Sequence, residues 1–81
     1  MKITIHLFAF LRDQLGPSVT IEVAPTTTLA KLKEQVIALD PLAKETVLNS
    51  RVAVNQAFDV NTVLRLQATD EVALIPPVSG G

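Results

Sequence analysis

The 81-residue sequence contains no cysteine, tryptophan or tyrosine, and it has one histidine and three glycines. Without cysteine the chain itself supplies no disulfide bond, no thiolate zinc site, no cysteine-ligated iron–sulfur cluster and no cysteine nucleophile. A single histidine excludes a multi-histidine metal site, and glycines at positions 16, 80 and 81 alone exclude a glycine-rich phosphate loop. The sequence therefore predicts no bound metal and no bound cofactor.

Charged side chains are also few, and their signs nearly balance. Seven Lys and Arg oppose eight Asp and Glu, without the basic cluster that is typical of nucleic-acid binding. No apolar run approaches the roughly 20 residues of a membrane-spanning helix, and no signal-peptide pattern follows Met1. We expect one compact cytoplasmic domain that binds neither nucleic acid nor membrane.

The titratable residues do not suggest a catalytic site. The acidic side chains are distributed over different predicted elements, so we expect no convergent carboxylate pair for acid–base chemistry. His6 lies at an outward position of the first predicted strand, where no nucleophile can be placed beside it. We therefore expect the chain to be non-catalytic on its own.

Hydrophobic periodicity predicts the elements of secondary structure. Residues alternate between apolar and polar in four segments, which predicts strands at 2–8, 18–23, 51–55 and 71–75, with a very short strand within 60–66. A short helix over 10–15 ends at Gly16-Pro17. The main helix covers 29–39, follows the capping hydroxyls of 26–28, and ends before Pro41. Its predicted buried stripe is Leu29, Leu32, Val36 and Leu39.

This order of elements predicts an α+β fold. A hairpin and one amphipathic helix bury their apolar faces only if the later strands join the same sheet. With the last strand parallel to the first, the result is the β-grasp, or ubiquitin-like, architecture. We expect a mixed sheet of four to five strands on one main helix, plus the short helix after strand 1. The competing ferredoxin-like fold needs a second comparable helix, which the weakly periodic, loop-like stretch 41–49 does not provide.

The end of the sequence is unusual. Domain 1–76 is followed by a predicted flexible tail, 77–81, that contains Pro77, Val78, Ser79, Gly80 and Gly81. At ordinary glycine usage, two terminal glycines occur by chance in only about one chain in two hundred. Two interpretations are therefore open: a tail with a function, or a chain terminus that is simply disordered. Glycine has no Cβ and passes through channels that exclude other residues. The carboxylate of Gly81 is the predicted reactive group, once ATP-dependent adenylation gives it a leaving group.

Three segments of the sequence carry a resemblance to a known family. They are Ile3-Thr4-Ile5-His6-Leu7-Phe8-Ala9 with the following 11–16, the central Val52-Ala53-Val54-Asn55-Gln56, and the closing stretch from Asp70 to Gly81. Together they resemble the small, sulfur-carrier subunit of molybdopterin synthase. One departure is Thr69, which stands where the family often has a glycine in the turn before the last strand.

The resemblance implies a function in molybdenum cofactor biosynthesis. An adenylating enzyme that uses ATP would activate Gly81, which would then become a thiocarboxylate. The tail would thread into the large catalytic subunit, with Gly80, Ser79, Val78 and Pro77 as its slender lead-in. There the sulfur would pass to cyclic pyranopterin monophosphate to form the dithiolene. The resemblance also implies a heterotetramer of two small and two large subunits.

A docking surface is predicted beside the tail. If Ile3, Ile5 and Leu7 face the helix, then Phe8, Ala73 and Ile75 lie on the opposite face of the sheet, with Arg51 flanking them. An exposed apolar patch there would bind a partner. The alternative is that Phe8 turns into the core together with Phe10.

Other functions begin with the same activated glycine. A ubiquitin-like modifier would be conjugated to lysines through Gly81, and a sulfur carrier could serve thiamine or another thio-metabolite. A plain binding domain with an incidental Gly-Gly end is a further alternative.

Overall fold

Seven strands and three α-helices follow one another in residues 1–59 and 61–77, the part of the chain that the computed structural model describes. A 3₁₀ turn at Pro41–Ala43 precedes the third helix. In chain order the elements are β1 (Lys2–Leu7), α1 (Ala9–Leu15), β2 (Ser18–Glu22), β3 (Thr26–Thr28), α2 (Leu29–Leu39), α3 (Lys44–Asn49), β4 (Arg51–Val54), β5 (Ala57–Phe58), β6 (Val63–Arg65) and β7 (Val72–Ile75).

Five of these strands form the main sheet, in the order β2-β1-β7-β4-β5. β1 pairs antiparallel with β2 and parallel with β7, and β7 pairs antiparallel with β4. The last strand therefore lies in the middle of the sheet, directly beside the first. This mixed topology confirms the predicted β-grasp fold.

Alternation along the strands places one face of the sheet against α2. On β1 the side chains of Ile3, Ile5 and Leu7 are buried and their neighbours are exposed. Leu32 and Val36 of α2 are fully buried on the same side. One core results, composed of Ile3, Ile5, Leu7, Leu11, Ile21, Val23, Leu32, Val36, Ala43, Val47, Val52, Leu64, Leu66, Val72 and Leu74.

The main helix begins and ends where the sequence predicts. The Thr28 hydroxyl accepts a hydrogen bond from the backbone N–H of Lys31 at 3.1 Å, and this cap fixes the first turn. The prediction for Leu39 is wrong: as the last helical residue it is 52% exposed, and Ile37 packs against the core instead. Leu29 is only half-buried.

The short helix after β1 is confirmed as α1. Gly16 ends it with φ +92°, a left-handed conformation that favours glycine, and its N–H donates to the Arg12 carbonyl at 2.9 Å.

Two parts of the chain differ from the prediction. Residues 41–49 form the 3₁₀ turn and α3 rather than a loop. Two buried side chains, Ala43 and Val47, anchor this short segment to the core. Two apolar positions are too few to produce a recognisable helical period in the sequence. The predicted short strand exists as β6, but it pairs with β3 in a separate two-stranded sheet. The sequence pattern does not predict β3, because its three threonines show no alternation of apolar and polar residues.

A hydrogen-bonded cluster joins two turns at one end of the sheet. Asn55 and Gln56, the two-residue turn between β4 and β5, both have positive φ, as a type I′ hairpin requires. Asp70 accepts hydrogen bonds from the N–H of Gln67 at 2.8 Å and from the Asn55 amide at 3.1 Å. The Asn55 side chain in turn accepts from the N–H of Glu71 at 2.9 Å.

The backbone conformation explains why the turn before β7 needs no glycine. Thr69 is not among the residues with positive φ, so a side chain is accommodated there without backbone strain. The hydrogen bonds from Gln67 and Asn55 hold the pKa of the Asp70 carboxyl below its usual range.

Truncation of a buried side chain at the centre of the sheet should reveal how much the core contributes. Leu74 is 0% exposed, so Leu74→Ala is expected to lower the free energy of unfolding by about 2–5 kcal/mol through lost burial and the resulting cavity. Leu42 is 87% exposed, so Leu42→Ala should change it by less than about 0.5 kcal/mol. Urea unfolding monitored by circular dichroism measures both, and equal effects would contradict this assignment of the core.

The Asp70 cluster should make stability depend on pH. Because the native pKa of Asp70 lies below the ordinary 3.8, its stabilising contribution is complete above that value and is lost as pH falls through the lower native pKa. Asp70→Asn retains only one acceptor oxygen, so it should unfold at lower urea at neutral pH. The difference from the parent should shrink as the pH falls below 3.8 and through the lower native pKa. Asp13→Asn on α1 is the surface control, and a difference that stays constant with pH would refute the role of the carboxylate.

Candidate functional site

The sheet face opposite α2 carries an open groove of about 400 Å³, here named the sheet groove. Its walls come from β1, β4, β5 and β7 and from the residues beside them. They are His6, Phe8, Ala53, Gln56, Phe58, Glu71, Ala73 and Ile75. Apolar side chains dominate this surface although it is open to solvent.

Strand register brings three predicted docking residues, Phe8, Ala73 and Ile75, into this groove and sets Arg51 beside them. The parallel pairing of β1 with β7 sets His6 opposite Ala73, and the antiparallel pairing of β4 with β7 sets Arg51 opposite Ile75. Because side chains alternate along each strand, the residues between these positions point to the core. Phe8 follows the end of β1 and lines the same groove.

Arg51 lies at the rim of the sheet groove and contacts an aromatic ring. Its guanidinium carbon is 3.8 Å from the centroid of the Phe58 ring, a cation–π geometry that holds both side chains in place. Phe58 is nevertheless 49% exposed. Sequence reasoning missed Phe58, and the two-residue gap of Asn55-Gln56 after a strand was the signal that a hairpin partner strand follows.

Phe8 and Phe10 are exposed, by 44% and 53% of their surfaces. The alternative in which both turn into the core is therefore wrong. Between them Ala9 adopts φ +51°, a conformation that costs energy for any residue with a Cβ. The strained residue marks the point where the chain passes from β1 into α1 and leaves both phenyl rings at the surface.

A second groove, here named the tail groove, begins where the chain leaves β7. It is lined by the exposed phenyl rings, by the polar face of α3 and by the prolines that follow the last strand. These residues are Phe8, Ala9, Phe10, Glu45, Thr46, Asn49, Ile75, Pro76 and Pro77. Phe8 and Ile75 line both grooves, so the two form one continuous surface.

Only one residue of the predicted tail is described. Pro77 is exposed and forms part of the wall of the tail groove. Val78, Ser79, Gly80 and Gly81 lie outside the described residues. Their roles, and the boundary between domain and tail, remain predictions.

The charges near the grooves are sparse. Arg51 and Glu71 flank the sheet groove, and Glu45 stands in the tail groove. Over residues 1–59 and 61–77, no three His, Cys, Asp or Glu side chains come together as metal ligands would. The longest helix in this same part of the chain has 11 residues, and none has the length and hydropathy needed to cross a membrane.

Comparison with known proteins identifies the group to which this architecture belongs. The model of the ThiS family matches residues 5–81. The molybdopterin synthase sulfur carrier subunit of Arabidopsis thaliana is 29% identical over 82 residues, which cover 100% of this chain and 84% of that protein.

Solved structures show the same fold. SAMP1 from Haloferax volcanii is 26% identical, with a TM-score of 0.80 over 100% of both chains. A chain in the complex of subunits 1 and 2 of molybdopterin-converting factor from Helicobacter pylori has a TM-score of 0.70 at 22% identity, again over 100% of both chains. With a family match that spans 77 of its 81 residues (5 to 81), the chain is a member of the ThiS family of ubiquitin-like proteins and a homologue of the molybdopterin synthase small subunit.

Proposed function

We propose that this chain is the sulfur carrier of a molybdopterin synthase. Gly81 is the residue that carries the sulfur, and the large subunit of the synthase is the partner that receives the tail. The observation that supports this most is that the continuous apolar surface of both grooves lies where the chain leaves the sheet toward Gly80 and Gly81. The whole-length likeness to the Arabidopsis subunit supports the choice of pathway.

The chemistry begins with two steps on the terminal carboxylate. An oxygen of the Gly81 carboxylate attacks the α-phosphorus of ATP in an activating enzyme, which releases pyrophosphate and leaves an acyl-adenylate. Hydrosulfide from a sulfur donor then attacks the acyl carbon, displaces AMP and leaves a thiocarboxylate. The anionic sulfur attacks a carbon of cyclic pyranopterin monophosphate in the large subunit, which supplies the acids, bases and substrate pocket. Water then cleaves the acyl–sulfur bond, which leaves the sulfur on the pterin and restores the Gly81 carboxylate. We propose a cytoplasmic location for the carrier, because the adenylation step consumes ATP.

The sheet groove is the docking face for the large subunit. Phe8, Ala73 and Ile75 provide apolar area, and Arg51 is held at the rim by its contact with Phe58. Residues of this kind, apolar or aromatic at the centre with charge at the edge, form the anchors of protein interfaces. Two carriers on a dimeric large subunit would give a heterotetramer.

A second candidate function is protein modification. It is favoured by the likeness to SAMP1, a small archaeal modifier protein. A lysine amine of a target protein would attack the same acyl-adenylate, displace AMP and form an isopeptide bond. The two functions differ in what is attached to Gly81.

The mass of the carrier distinguishes them. Co-expression with the activating enzyme and the sulfur donor of its own genome should add about 16 Da to the C-terminal peptide, because sulfur replaces one carboxylate oxygen. Intact-protein mass spectrometry measures this gain. Deletion of Gly81 should abolish it, whereas Ser79→Ala, which keeps the tail length and both glycines, should leave it unchanged. Isopeptide-linked species of higher mass without the sulfur gain would instead establish the modifier function.

The docking face has its own test. Ile75→Lys introduces a charge at the junction of the two grooves, and it should weaken binding to the large subunit about tenfold or more. Val63→Lys is the control for the added charge, because Val63 is also an aliphatic strand residue open to solvent, but it lies on β6 of the other sheet. Calorimetric titration gives both affinities, and circular dichroism shows whether the fold is kept. Equal affinity for the two folded variants would rule out the sheet groove as the docking face.

A further inference from the structure

The tail groove combines apolar walls with a single carboxylate. Phe8, Phe10 and Pro77 contribute apolar surface, and Thr46 and Asn49 contribute neutral polar groups. Among the described residues that line it, Glu45 alone carries a charge. An anionic group set among aromatic and proline side chains is a specific chemical feature, and the proposed reaction does not use it.

The length of the tail requires the partner to cover this groove. Four residues follow Pro77, and an extended chain reaches at most about 3.5 Å per residue. A site that holds the carboxyl group of Gly81 therefore lies within about 14 Å of Pro77. Pro77 is itself a wall of the tail groove, so a channel that receives the tail would open beside this groove, and the partner's surface around the channel would cover it.

Covering the groove removes Glu45 from water. A carboxylate buried beside phenyl rings and prolines is strongly unfavourable unless a cation pairs with it. The lining of the groove supplies no such cation within the described part of the chain. The cation must then come from the partner.

We propose that the large subunit inserts an arginine side chain into the tail groove, where its guanidinium pairs with Glu45. This inference rests on the proposed function, because it assumes that the large subunit receives the tail. Arginine fits better than lysine, since its planar guanidinium binds a carboxylate through two hydrogen bonds and also stacks on aromatic rings such as that of Phe10. Glu45 is thereby a specificity-determining residue, which distinguishes partners that present a cation beside the channel from those that do not.

Glu45 also lies in the first turn of α3, where a negative charge favours the helix. This structural role would affect the stability of the free carrier but would not make partner binding depend on salt. The experiment therefore measures both quantities.

The test compares three variants in titrations against the large subunit encoded in the same genome. Glu45→Lys should weaken binding about tenfold at low ionic strength, because it faces the arginine with a like charge. Glu45→Gln, which keeps the size of the side chain, should weaken binding about threefold and reduce the salt dependence of the affinity. Glu34→Lys on the exposed surface of α2 makes the same charge change outside both grooves, and its affinity should equal that of the parent.

The outcomes separate this inference from the proposed function. If Glu45→Lys and Glu45→Gln bind as Glu34→Lys does, the inference is wrong, while Ile75→Lys and the sulfur mass gain still test the carrier. A fall in unfolding midpoint without a change in affinity or salt dependence also overturns it, because Glu45 would then serve α3 alone. A carrier that gains no sulfur refutes the proposed function itself. Should Glu45→Lys fail to fold, the Glu45→Gln titration decides.

Discussion

The pairing of β7 with β1 is the constraint on which the rest of the molecule depends. It places the last strand in the centre of the sheet, with Ile5 opposite Val72 and Leu7 opposite Leu74. Side-chain alternation then assigns each residue of β7 to one of two tasks: Val72 and Leu74 complete the core beneath α2, and Ala73 and Ile75 form the floor of the sheet groove. The chain consequently leaves the sheet beside its own apolar surface, so the proposed reactive end and the proposed docking face lie next to each other.

Much of this fold is predictable from the sequence because strong periodicity marks its large elements. β1 and α2 each bury a regular stripe, and Gly16 and Pro41 mark the ends of α1 and α2 by simple stereochemistry. The elements that escape prediction are short. β3, β5 and α3 have two to six residues each, too few to establish a period, and they exist because tertiary contacts satisfy them. The separate pairing of β3 with β6 depends on contacts distant in sequence, which local patterns do not record.

The residues of the candidate site are likewise only partly predictable from the sequence. The alternation of β1 and β7 suffices to place Phe8, Ala73 and Ile75 on one face, and the strand register carries Arg51 beside them. Phe58 and Glu45 could not be predicted, since each lies on a short element whose existence is itself a tertiary effect. The strain at Ala9 is likewise invisible in the sequence, because alanine is ordinarily a helix former rather than a residue of positive φ. The chemistry proposed for Gly81 is a prediction from the sequence alone, whereas the grooves beside it could be predicted only in part.

The central position of β7 has a mechanical consequence for the proposed function, in which a partner draws in the end of the chain. A pull applied to the end of β7 along the strand meets hydrogen bonds on both sides, to β1 and to β4. In this shear geometry the bonds of both ladders bear the load together, instead of opening one after another as they would at a peeled edge strand. The domain can thus be held by its last residues while it stays folded, and it can be released in a state ready for another cycle of loading.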